Sequence, residues 1–301
     1  MRLRSAPKTP TTPAKLPWPL PTDTLHCPRR RCHRWEKTML DLDLTGRTAV
    51  VTGASKGIGE ASVTLLADHG AAVAFCARGA DAVDALAAYS PPSGSGSVRG
   101  YTADMSDADA TQAFLEAATA DVGPADILVN NVGASPSRNF LYMSDDDWTD
   151  LHQLNLMSAV RCTRFCLPHM RKQKWGRVVM IATGAAFSPN AALIDYAATK
   201  AAMVATAKAL AGKYGADNVL TNTVIPGLIR TDMWERAAAE IAEANNTDAE
   251  AIFARNSTGV PQGRYGTAEE VAAGVVFLAS SAANYINGTC LTIDGGVGTH
   301  V

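Results

Sequence analysis

The sequence predicts an α/β protein with a doubly wound parallel sheet in a three-layer α/β/α arrangement, on three observations. Short apolar runs rich in Val, Ile and Ala recur along the chain, helical patterns separate them, and the first run passes straight into a glycine-rich turn. Such runs suit strands covered on both faces, and the helices between them suit the crossovers that parallel strands need. In order, RTAVVTG (47–53) reads as a strand, GIGEASVTLLADHG (57–70) as a helix and AAVAFCA (71–77) as a strand. An Ala-rich helix to Tyr89, the loop PPSGSGS and the strand SVRGYTAD (97–104) come next. TQAFLEAATADVG (111–123) is helical, DILVNN (126–131) a strand, about 145–174 one long helix, and RVVMIA (177–182) a strand. The stretch AATKAAMVATAKALAG has strong helix formers and no proline, and NVLTNTV (218–224) closes the series as a strand. Residues 228–262 hold helical pieces, MWERAAAEIAEA and DAEAIFAR, outside this repeating order. They read as a lid or substrate loop.

The 301 residues, 47% hydrophobic and 19% charged with a net charge of -2, fit one main globular domain and offer no basic surplus for nucleic acid. No apolar run reaches the ~18 residues of a membrane span. Residues 1–38 differ, with nine Lys or Arg against two acids and seven of the fifteen prolines. Such a segment cannot bury enough apolar surface to fold, and it lacks the apolar stretch of a secretory signal. It reads as a disordered tail or as an extension upstream of a true start at Met39, and the domain as 39–301. Its Arg-rich bias is that of a transit peptide, but its prolines oppose the amphipathic helix one needs. Cys27 and Cys32, in HCPRRRCH, match no strong zinc spacing and lie among cations, so no metal is expected. Cys76, Cys162, Cys166 and Cys290 read as small buried apolar residues, and the lack of a paired framework fits the cytoplasm.

The first strand runs into TGASKGIG, residues 52–59. Gly53, Gly57 and Gly59 permit a tight turn and close backbone approach, and the helix that follows offers its amides and dipole to a pyrophosphate. This strand-turn-helix setting is what a glycine triplet needs to signify a Rossmann-type nucleotide site. At the end of the second strand an acid would favour NAD. FCARG instead presents Arg78, with Lys56 in the glycine loop, and two cations suit the 2′-phosphate of NADP, NAD remaining possible. Asp104, ending the third strand, is a candidate for the adenine amino group.

Tyr196 and Lys200, four apart on a predicted helix, share one face. On spacing alone they fit a plain surface pair. A phenol with a pKa near ~10 becomes a usable acid or base when a cation beside it favours the phenolate. Thr183, thirteen residues before Tyr196, ends a strand from which its hydroxyl could bond the same substrate oxygen.

Taken in order, TGASKGIG, Asp104, NNVG (130–133), Asn155, YAATK (196–200), IPGLIRT (225–231) and IDGG (293–296) resemble the short-chain dehydrogenase/reductase family over about residues 42–298. The resemblance implies that Tyr196 is the acid/base, that Lys200 lowers its pKa and binds nicotinamide ribose, and that Asn155 supports a water relay. It places Gly53, Ser55, Lys56, Gly57, Ile58, Gly59, Asn130 and Gly133 around the cofactor, with Pro226, Gly227 and Ile229 in a turn before Thr231, which meets the carboxamide. Threonine at 183, where the family usually has serine, keeps the hydroxyl and adds a methyl. NVG also replaces the commoner NAG. Ser135, Phe187, Ile194, Met233 and Trp234 are expected around an apolar substrate pocket. The closing segment resembles 3-oxoacyl-acyl carrier protein reductases, but Leu193 and Asp195 replace their common Gln and Asn. The implied activity is hydride transfer between NADP and a secondary alcohol or ketone, a 3-oxoacyl thioester among the candidates, in a homo-oligomer (tetramer or dimer). The alternative is a silent NADP-binding sensor.

Overall fold

The computed structural model describes residues 40–92 and 94–298, so the expectations for 1–38 lie outside the described residues. Strands β1 (Thr48–Thr52), β2 (Ala72–Ala77), β3 (Ser97–Thr102), β4 (Ile127–Asn130), β5 (Gly176–Ile181), β6 (Val219–Pro226) and β7 (Cys290–Ile293) form one sheet in the order β3-β2-β1-β4-β5-β6-β7. Every pairing is parallel. The helices are α1 (Gly57–Asp68), α2 (Ala80–Ala87), α3 (Ala108–Val122), α4 (Asp145–His152), α5 (Ser158–Lys172), α6 (Ile194–Tyr214), α7 (Asp232–Ala244), α8 (Ala249–Ser257) and α9 (Ala268–Ala279).

Strand alternation splits the core into two layers. Ala49, Val51, Ile127 and Val129 pack into a cluster with Val63, Leu66, Val271 and Val275 of α1 and α9. Their neighbours Val50 and Leu128 pack into the opposite cluster with Phe114, Leu115, Cys162, Cys166 and Met203 of α3, α5 and α6. A period of two on strands buried on both faces gives this division, and it is why the strands read as unbroken apolar runs. Cys290 departs from the expected burial. It is exposed, because β7 is the edge of the sheet and its residues 290 and 292 face outward.

The predicted long helix over 145–174 is two helices joined by a widened π turn, Gln153–Met157. Such insertions concentrate where a side chain must be re-aimed, and this one carries Asn155. Side chains cap several helices: Asp107 accepts from Ala110 N, and Ser144 with Asp147 and Thr267 with Glu270 form capping boxes. For α1, among the described residues, no side chain caps the first turn. Its amides are thereby left to the cleft above the sheet. Among the described residues no helix is long and apolar enough to cross a membrane.

Residues 228–262 contain α7 and α8 as expected, and Ala238, Ala242, Ile252 and Phe253 of these helices form a small core with Tyr265. Arg230 stacks on Phe253 at 4.3 Å and pairs with Glu235 and Glu250, which ties the loop after β6 to both helices. Trp234 meets Tyr265 edge-on at 5.9 Å.

Candidate active site

The chain reverses its direction of winding between β1 and β4, which pair directly. In open α/β sheets the crevice at that point, beyond the strands' carboxyl ends, is where ligands bind. Two adjoining cavities occupy it. The first, about 290 Å³, is lined by the glycine loop from Gly53 to Gly59, by Ala77 and Arg78 after β2, and by Asp104 after β3. The second, about 670 Å³, is lined by Thr183, Tyr196, Lys200, Pro226, Gly227, Ile229 and Trp234 among others. Ile58, Asn131, Gly133, Ala134 and Thr231 border both, so the two form one cleft.

The first cavity fits a dinucleotide on the structure's own terms. Gly53 holds φ +70°, and a Cβ on Gly59 would stand 2.4 Å from the Gly53 carbonyl oxygen and 2.6 Å from Asn131 Nδ2. The loop therefore has no room for side chains where backbone must approach a ligand. Gly59→Ala is expected to weaken NADPH binding by at least about tenfold, and fluorescence titration that finds unchanged affinity would refute the cradle. Asp104 accepts from Ser106 N at 2.9 Å and Ser106 Oγ at 2.7 Å. These bonds hold its carboxyl below the usual range, with nearby Arg78 adding a smaller effect.

In the second cavity α6 presents Tyr196 and Lys200 one turn apart. Burial raises the Tyr196 phenol, and a hydrogen bond with the Thr183 hydroxyl opposes that rise. Thr183 is held in turn by accepting from Ala185 N at 3.3 Å, in the short 3-10 turn that follows β5. Lys200 is buried, and desolvation lowers its ammonium to about 8. Its Nζ donates to the Ile181 carbonyl at 2.8 Å. The Thr183 hydroxyl is thus a group that favours the phenolate here. Asn155 on the π turn is fully buried and fixed at both ends. Its Oδ1 accepts from Ala134 N at 2.8 Å, and its Nδ2 donates to the Ala134 carbonyl at 2.9 Å and to Thr199 Oγ1 at 3.1 Å. It joins the loop after β4 to α6.

Most of the expected site residues converge on this cleft, including Ser55, Lys56, Gly57, Ser135 and Thr231. Asn130 does not. It lies in β4 with its side chain in the core, donating to Thr163 Oγ1 at 3.2 Å and to Met180 Sδ. Asn131, one residue on and past the strand end, borders both cavities and donates to the carbonyls of Thr52 and Gly53. The alternation of strand faces is the signal that separates the two asparagines. Phe187, just after the 3-10 turn that follows β5, and Ile194, the first residue of α6, are exposed, at 41% and 37%, and do not line the cavity. The Met233 side chain lies outside the described residues. Ser188 and Asn190, which the sequence reading missed, do line the cavity. They lie in an irregular loop where no periodicity assigns a facing.

The short chain dehydrogenase family model matches residues 47–242. An uncharacterized oxidoreductase of Bacillus subtilis (strain 168), YvrD, is 36% identical over 262 residues, covering 86% of this chain and 98% of its own. The 3-oxoacyl-[acyl-carrier-protein] reductase FabG of Vibrio harveyi is 35% identical over 256 residues, covering 85% and 99%. L-sorbose reductase from Gluconobacter frateurii, solved with NADPH and L-sorbose, superposes with a TM-score of 0.83 at 31% identity, over 87% of this chain and all of that one. The glycine cradle, the Thr183–Tyr196 bond and these matches together identify the chain as a member of the short-chain dehydrogenase/reductase family, an NAD(P)-dependent oxidoreductase acting on CH–OH or C=O groups.

Proposed function

We propose that the protein is an NADPH-preferring reductase of a small free ketone, running in reverse on the secondary alcohol. The observation that carries the reading is the Thr183–Tyr196 hydrogen bond in the wall of a cavity continuous with the glycine cradle. Bound NADPH supplies a hydride to the carbonyl carbon. Tyr196 gives its phenolic proton to the carbonyl oxygen as negative charge develops there, so the carbonyl becomes an alcohol. Thr183 donates to the same oxygen and orients it. Lys200, a buried cation one turn from Tyr196, offsets the charge left on the phenolate. Asn155 holds the Ala134 loop and α6 in fixed relation, in the wall that a water relay from Lys200 would use. The uncapped start of α1 and the loop from Gly53 to Gly59 hold the pyrophosphate.

Arg78 beyond β2, with Lys56 across the loop, supports the NADP preference. A charge-assisted bond to the 2′-phosphate is worth about 1.5–3 kcal/mol, so Arg78→Asp should weaken NADPH about tenfold to a hundredfold and NADH far less. Titration of both nucleotides checks this, and an unchanged preference removes Arg78 from the argument.

Two observations favour a free substrate over one on an acidic carrier. Ser135, Ser188 and Asn190 add polar groups to the cavity wall beyond those of the Thr183–Tyr196 site. Arg171, in the last turn of α5, and Lys174, between α5 and the start of β5, lie at the end of the sheet away from the cleft, and both pair with Asp217, so neither offers a docking cation beside the cavity. A 3-oxoacyl thioester is the second reading, supported by the likeness to the Vibrio harveyi reductase. The reading extends to a cytoplasmic homo-oligomer, tetramer or dimer, as the family resemblance implies. Parallel assays of NADPH and NADH oxidation against acetoacetyl thioester, cyclic diketone, aryl ketone, ketose and steroid ketone test the whole. Turnover of the thioester alone would overturn the preference for a free ketone. Tight NADPH binding with no turnover across the panel would favour a sensor.

A further inference from the structure

The residue before Tyr196 is a carboxylate in the core. Asp195 is 1% exposed in the first turn of α6, and its two oxygens are used differently. Oδ1 accepts from the Tyr196 backbone N–H at 2.8 Å. Oδ2 accepts from Arg138 Nη1 at 3.1 Å. Arg138 belongs to the loop after β4 that also carries Ser135 of the cavity wall and Ala134, the partner of Asn155. It also reaches α4: Nη1 donates to the Asp147 carbonyl, and Nη2 lies 3.3 Å from Asp147 Oδ1. Asp147 in turn closes the capping box with Ser144 at the start of α4. One guanidinium thus fastens the cavity-lining loop and the amino end of α4 to the turn of α6 that bears Tyr196.

A buried carboxylate is costly unless it is paired, so a chain that keeps Asp195 and its one cation in this place keeps a fixed geometry with them. The fork of the guanidinium is what allows one side chain to serve two helices; an ammonium is a point charge without that fixed fork. We propose that Arg138 and Asp195 are positioning residues, which set the Tyr196 hydroxyl against the Thr183 hydroxyl and the substrate loop by clamping the first turn of α6. The proposal rests on Tyr196 being the proton donor.

The test uses the full chain with the best ketone from the panel and four variants: Arg138→Gln, Arg138→Lys, Asp195→Asn and the Arg138→Gln/Asp195→Asn double. Misplacing a reacting group by about 1 Å can cost ~100-fold, so Arg138→Gln should lower kcat by about tenfold to a hundredfold. NADPH affinity should stay within about twofold, because neither residue lines the first cavity. Arg138→Lys should restore part of the rate. The double variant removes the buried carboxylate together with its half-buried cation, so its Tm should return close to that of the parent while its kcat stays low. A double variant that regains kcat together with Tm would show a role in stability alone and overturn the proposal. So would an Arg138→Gln variant with kcat within about twofold of the parent, or a loss of NADPH affinity matching the loss of rate. If the parent itself turns over no ketone, the activity reading fails separately. Hydrogen exchange over 194–199 then reads the clamp directly, with faster exchange in Arg138→Gln expected and unchanged exchange overturning it.

Discussion

Tyr196→Phe should leave NADPH affinity within about twofold and lower ketone reduction by roughly a hundredfold to ten-thousandfold, the range that loss of a positioned general acid produces. The substitution keeps the ring, and with it the packing of a partly buried side chain, so the fold is unaffected. It deletes the only atom able to deliver a proton from that position. Thr183 loses its hydrogen bond to the phenol but remains against the cavity, where water can replace the partner, so no buried group is left unsatisfied. The effect should therefore fall on kcat rather than on Tm or on cofactor binding. Single-turnover kinetics with saturating NADPH isolate the chemical step. A rate near that of the parent would show that another group, or water, supplies the proton, and would remove Tyr196 from the mechanism.

What the sequence made legible follows from how strongly each feature is set by local chemistry. The parallel sheet was readable because β1, β2, β4, β5 and β6 are covered on both faces and need unbroken apolar runs. The cradle was readable because only glycine fits at 53 and 59, where positive φ and a 2.4 Å approach exclude other residues. The π turn at 153–157 was not, since QLNLM has ordinary helical composition and the extra residue is enforced by Asn155 reaching Ala134 and Thr199. Asn130 and Asn131 were confused because identity alone does not say which one ends the strand. The Arg138–Asp195 contact joins positions 57 residues apart and has no local signature, although Asp195 already stood out as a departure from the reductases the closing segment resembles. The energetics of Lys200 were hidden for a related reason. Spacing put it beside Tyr196, but its burial and its bond to Ile181 come from the packing of β5 against α6.

That burial makes Lys200 the site of a trade between stability and function. Its ordinary pKa of 10.5 falls to about 8 in the folded chain, with desolvation as the cause. The unfolded chain therefore binds more protons between about pH 8 and pH 10.5, and stability rises with pH through that window. Below about pH 8 both states are protonated, and the cost of burying the charge is fully present, about 3 kcal/mol for a shift of this size. Lys200→Met keeps an unbranched apolar stem, removes the charge and loses the bond to the Ile181 carbonyl, which is worth about 1 kcal/mol. The cofactor-free variant should be more stable than the parent by about 1–2 kcal/mol at pH 7, with the advantage gone by about pH 10.5. Its turnover should fall by at least about a hundredfold, because the phenolate at Tyr196 loses the cation one turn away. Urea denaturation of both proteins at pH 7 and pH 10, without nucleotide, measures the first effect, and NADPH oxidation measures the second. A variant less stable than the parent by the same amount at both pH values would mean that Lys200 keeps its ordinary pKa in the folded chain, with no cost of burying its charge. Its charge would then cost the fold nothing, and the trade between stability and function at this position would be absent.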